Sequence, residues 1–98
     1  MADVIQTSEF SDWLASLRDR QARNRILGRI VRMQAGNPGD VAPVGQGISE
    51  MRVHVGPGYR VYFMQRGPVI VVLLCGGDKS TQQADIARAG VIAGQWRE

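Results

Sequence analysis

Beyond residue 46 the hydrophobic pattern changes to a period of two, and that change limits the folds open to this chain. Met51, Val53 and Val55 alternate with Glu50, Arg52 and His54, the pattern of a half-buried strand. Gly56-Pro57-Gly58 predicts a turn, since Pro57 presets φ and Gly58 tolerates the positive φ of a type II turn. A strand from Tyr59 to about Met64 follows, then a turn at "QRGP", then the apolar run "VIVVLLC" as a buried strand. Strands joined by turns this short pair as an antiparallel meander.

The first half of the chain is helical in period. After a short strand at "DVIQT", Thr7 or Ser8 can cap a helix through "SEFSDWLASL", with Phe10, Trp13, Leu14 and Leu17 at helical spacing. A second helix is predicted from about Asp19 to Met33. Its apolar side holds Ala22, Ile26, Leu27, Ile30, Val31 and Met33, and Arg18, Arg25, Arg29 and Arg32 form a stripe on the other side. "AGNPGD" stops it, and residues 41–46 read as irregular. The last segment, "STQQADIARAGVIAGQW", predicts a helix opened by a Ser80/Gln83 capping box. Gly90 and Gly94 each cost it up to ~1 kcal/mol, so it should be short or frayed. The expected order is β-α-α-β-β-β-α: an α+β fold whose small, mostly antiparallel sheet carries both N-terminal helices on one face. The other face is then open for binding.

Ninety-eight residues suit one domain, expected to span 1–98. Net charge is only +3, but of the 12 basic residues Lys79 alone is not Arg. A planar fork suits phosphate, which favours RNA, DNA or an acidic protein as partner; an Arg-rich codon bias gives the same composition. Cys75 lies in an apolar run and reads as a small buried hydrophobe. No Cys or His spacing implies a metal, and neither "GPG" nor "CGG" is a phosphate loop, so no cofactor is expected. The N-terminus has no secretory pattern and no apolar run is long enough to span a bilayer, so a cytoplasmic protein without membrane contact is expected.

Hairpin geometry turns spacing into proximity. A turn centred on Pro57 sets Arg60 opposite His54 and Tyr62 opposite Arg52, and a second turn at Arg66-Gly67 brings Arg60 beside about Leu73. Lys79 then follows at the mouth of the last helix, whose N–H groups would add anion affinity. Like charges facing one another destabilise a sheet, so the cluster marks a candidate phosphate site. Flanking cations would keep His54 neutral and able to accept a proton. The competing reading is a solvated ion-pair network built on Glu50 and Arg52. The Arg stripe of the second helix likewise reads either as a solvated face or as a nucleic-acid groove.

At "SEMRVHVGPGYRVYF…VIVVLLCGGDKSTQQADIARA" the sequence resembles the RelE/ParE superfamily of bacterial toxins, nearest the addiction-module killer proteins akin to HigB. The resemblance covers nearly the whole chain. It implies ribosome-dependent cleavage of mRNA: the ribose 2′-OH attacks the adjacent phosphate and leaves a 2′,3′-cyclic phosphate and a 5′-OH. It implies catalytic roles for Arg60, which matches the Arg after Gly-Tyr that contacts the scissile phosphate, and for Lys79 and His54. Arg52, Tyr62, Arg25, Arg29 and Arg32 are the expected RNA contacts. Relatives that use a Tyr or His near the C-terminus as acid or base find only Asp85 and Trp96 here. Expected partners are a small helix-turn-helix antitoxin, the ribosome and mRNA, with operator DNA reached only through the antitoxin complex. The resemblance also admits a ParE-like inhibitor of DNA gyrase, and an inactive member working only with its antitoxin.

Overall fold

Residues 2–96 are described by the computed structural model. Strand β1 (Asp3–Gln6) leads into helices α1 (Ser8–Ser16) and α2 (Arg20–Gln34). Strands β2 (Val41–Gly45), β3 (Ile48–Val53), β4 (Tyr59–Arg66) and β5 (Ile70–Asp78) follow, then a 3₁₀ turn at Lys79–Thr81 and helix α3 (Gln82–Gln95). The result is a small α+β fold with one mixed sheet in the order β1-β5-β4-β3-β2, parallel only between β1 and β5. The element order is therefore β-α-α-β-β-β-β-α, one strand richer than the pattern predicted. β2 was hidden because Pro43 and a register shift at Pro43–Gly45 break its period. An edge strand tolerates both, since one side of its backbone needs no partner.

Local chemistry fixes the helix starts. Thr7 caps α1 by accepting from the Phe10 N–H at 3.1 Å, and its own N–H donates to the Leu73 carbonyl, which ties the helix to β5. Asp19 caps α2 through the N–H groups of Gln21 and Ala22. The predicted Ser80/Gln83 box does not form. Asp78 instead accepts from the N–H and hydroxyl of Ser80, winding a 3₁₀ turn that delays α3 to Gln82. The helix then runs 14 residues despite its two glycines, because Ala89 and Ile92 are buried against the sheet.

Helices cover both faces of the sheet, which corrects the expectation of one open face. On one side Phe10, Ile26, Ile30 and Met33 pack on Met51, Val53, Val61, Phe63, Val71 and Leu73. On the other, α3 sets Ala89 and Ile92 on Ile48, Tyr62, Met64, Val72, Leu74 and Cys75. Leu27 and Val31, expected on the apolar side of α2, are 42% and 62% exposed. The "CGG" motif works as a pair of notches. A Cβ on Gly76 would lie 2.3 Å from the Trp13 ring, and one on Gly77 would lie 1.8 Å from Asp85 Oδ2. Each glycine lets a helix on its own face approach the strand.

Candidate active site

The polar groups gather on the α3 side of β3, β4 and β5. Register there is Glu50↔Tyr62, Arg52↔Arg60 and Val53↔Tyr59, with Arg60↔Gly77 and Tyr59↔Asp78 beyond. Arg60 therefore faces Arg52 rather than His54, and its other neighbour is Gly77 rather than Leu73. The first hairpin is looser than a turn centred on Pro57. Gly56 and Gly58 both take positive φ, so residues 54–58 leave the ladder and His54 moves into the loop. The second difference arises mostly because the β4–β5 turn is centred near Pro68, with Arg66 paired to Ile70, and a register shift at Tyr62–Phe63 adds one residue more.

Two arginines that face one another need negative charge nearby. Glu50, only 5% exposed, supplies it: its Oε2 lies 3.6 Å from Arg60 Nε and its Oε1 lies 3.9 Å from Arg52 Nη1. Gln82, at the start of α3, donates to Glu50 Oε2 at 3.3 Å. Across Gly77, Asp85 is buried and accepts from Thr81 Oγ1 at 2.6 Å. Arg60 is thus 7% exposed beneath α3, and its Nε and Nη1 have no hydrogen-bond partner. A guanidinium with unspent donors, set in low dielectric, holds an unusual reserve of affinity for an anion. Tyr62 does not fit the expected RNA contact. It is fully buried, its hydroxyl lacks a partner, and burial together with Glu50 and Asp85 pushes its pKa up to about 12.

The rim of the site is exposed and built around a residue that sequence reading missed. Asp40 precedes β2, where the Val41↔Met51 pairing carries it beside Arg52. Its carboxylate contacts Arg52 Nη2 at 2.9 Å and His54 Nε2 at 2.6 Å. The His54 bond first, and the charge of Arg52 beyond it, hold the Asp40 carboxyl below the usual carboxylate range. The expectation was that flanking cations would outweigh Glu50 at His54; the acid beside it is instead Asp40. With Asp40 ionised, Nε2 is the donating nitrogen, and in the neutral ring Nδ1 keeps its lone pair. Lys79 closes the other end. Its N–H donates to the Gly58 carbonyl at 3.1 Å, and a Cβ on Gly58 would lie 2.9 Å from Lys79 Cε. Gly58 is needed there so that the stem of Lys79 can lie across the loop.

The helical arginines stand apart. Arg29 donates to the carbonyls of Arg52 at 2.6 Å and Pro38 at 2.9 Å, so it clamps α2 to β3 instead of facing solvent. Burial, then repulsion from Arg32, lowers its pKa. Arg25 and Arg32 are exposed on α2, which packs on the opposite face of the sheet. Of the N–H groups that follow Lys79, that of Ser80 in the 3₁₀ turn is taken by Asp78, while the start of α3 at Gln82 carries no side-chain cap. Among the described residues no group of His, Cys, Asp or Glu is placed to hold a metal, and no helix is long and apolar enough to cross a membrane.

Comparison with known proteins matches residues 12–92 to the family described as phage derived protein Gp49-like (DUF891). An uncharacterized protein of Haemophilus influenzae is 48% identical over 90 residues, which cover 92% of this chain and 91% of that protein.

Proposed function

Since this chain belongs to the Gp49-like family, we propose that it is the toxin of a toxin–antitoxin pair and cleaves mRNA on the ribosome. The observation that carries the reading is Arg60, a buried arginine whose Nε and Nη1 form no hydrogen bond, paired across the sheet with Arg52, which in turn holds the Asp40–His54 pair. Cations around a proton acceptor are what phosphodiester transfer by a 2′-OH requires. His54 Nδ1 takes the 2′-OH proton while the 2′-oxygen bonds to phosphorus. The P–O5′ bond then breaks, the 5′-oxygen takes a proton from water, and a 2′,3′-cyclic phosphate remains. Arg60 and Lys79 stabilise charge on the phosphorane, the kind of contribution whose loss commonly costs ~3 kcal/mol. Asp40 holds the ring and its tautomer, and Arg52 positions the RNA backbone. Because Gln82 and Glu50 close over Arg60, RNA engagement requires that contact to open.

The antitoxin, the ribosome and a cytoplasmic setting belong to this reading. Its alternative, non-enzymatic inhibition of DNA gyrase, is favoured by no feature of the site, since an inhibitor has no use for a proton acceptor beside paired cations. Purified chain should block translation in a cell-free system and leave gyrase supercoiling untouched. Blocked supercoiling with normal translation would reverse the assignment.

A further inference from the structure

The outer face of α2 has a composition that neither the core nor the candidate active site uses. Leu27 and Val31, one turn apart, are 42% and 62% exposed. Beside them Gly28 leaves a gap, with nothing within 4 Å of a Cβ placed there. Gln21, Asn24, Arg25, Gly28, Arg29 and Arg32 line a shallow cavity of about 470 Å³ along the same helix. Within Arg20–Gln34 there are five arginines and no acid. Arg23 and Arg29 are spent on the carbonyls of Leu17 and of Arg52 and Pro38. Arg20, Arg25 and Arg32 are exposed and form no ion pair among the described residues.

The geometry points to this face as the docking surface for an acidic amphipathic helix of a partner protein. The apolar side of that helix would cover Leu27 and Val31, Gly28 would let the two backbones approach, and its carboxylates would pair with Arg25 and Arg32. Such pairing also relieves the repulsion of like charges spaced three and four apart along α2. RNA would use the arginines but gain little from two exposed aliphatic side chains, because nucleic-acid interfaces are polar. The face lies across the sheet from Arg60, so a helix bound here leaves the candidate active site uncovered.

The inference rests on the toxin reading for its choice of partner, the protein encoded beside this gene. Calorimetry of the full chain with that protein should show Val31→Asp weakening binding about 30-fold or more, as for a central interface residue. The double variant Arg25→Glu/Arg32→Glu should weaken it as much. Val91→Asp, on the exposed side of α3, should bind like the parent, and circular dichroism should find all three folded. If every variant binds like the parent, the inference fails and the toxin reading stands. If the parent does not bind the neighbouring protein, both fail together. A double variant that loses RNA retention but keeps the protein complex would make this face a nucleic-acid surface and overturn the inference.

Discussion

The two faces of the sheet are built from the same strands and do opposite things. Under α1 and α2 the contacts are apolar, from Phe10 and Ile26 to Val61 and Leu73. Under α3 an apolar patch around Tyr62 and Leu74 gives way, toward the helix start, to Glu50, Arg60 and Asp85, all buried and charged in type. A dry face returns its burial as stability, while ion pairs in low dielectric return little after desolvation. The difference teaches where function was placed. The first face holds the strands in register, and the second spends some of that stability on groups with unspent hydrogen-bonding capacity.

The comparison breaks most visibly if the dry face is cut. Phe10→Ala should lower unfolding free energy by ~3–5 kcal/mol, read by urea denaturation, with unchanged activity per folded molecule. Arg60→Ala should act on activity first. Cleavage falls on the order of 100-fold, a loss of ~3 kcal/mol. Stability also falls, by ~1–3 kcal/mol, because Glu50 loses a partner in a buried setting. A variant with full activity at matched folded protein would remove Arg60 from the site.

The paired glycines sharpen the contrast within one dipeptide. Gly76→Ala and Gly77→Ala should each cost ~1–3 kcal/mol by overpacking, measured by thermal denaturation. Only Gly77→Ala, which pushes Asp85 and the start of α3 from the sheet, should also change cleavage. Equal effects on activity would mean the two faces are not functionally distinct.

The smallest effect concerns Asp40. Its folded pKa is depressed, so its pairing contributes stability above the unfolded carboxylate range, and that stability is lost as pH falls through the lowered folded value. Carboxyl-carbon NMR should find Asp40 titrating below the reference of about 3.9. His54→Phe should raise that value more than Arg52→Gln does, because the His54 bond is the largest cause.

Much of this was legible in the sequence. The alternation around Met51 and Val53, the Thr7 cap and the α2 core residues Ala22, Ile26, Ile30 and Met33 needed only period and capping chemistry. What failed depended on backbone detail that period does not encode. Two positive-φ glycines lengthened the loop that carries His54, and Pro43 disguised the strand that brings Asp40 to Arg52. Tyr62 and Arg60 were placed on the right face but expected in the open, because nothing in "STQQADIARA" says on which side of the sheet α3 will lie. Register errors of an even number of residues preserve the face and change the neighbours, which is why the cluster was found and its pairings were not.

In the proposed mechanism the α3 side of the sheet cleaves RNA through Arg60 and His54. The most direct test incubates purified chain with ribosomes programmed with a defined mRNA, then maps the ends of the product. Expected are cleavage at one bond within the ribosome-bound codon, a 2′,3′-cyclic phosphate on the upstream fragment, a 5′-OH on the downstream one, and a rate on the order of 100-fold lower with Arg60→Ala. Intact mRNA under conditions where the chain arrests growth, or cleavage by the Arg60 variant at the parent's rate, would contradict it.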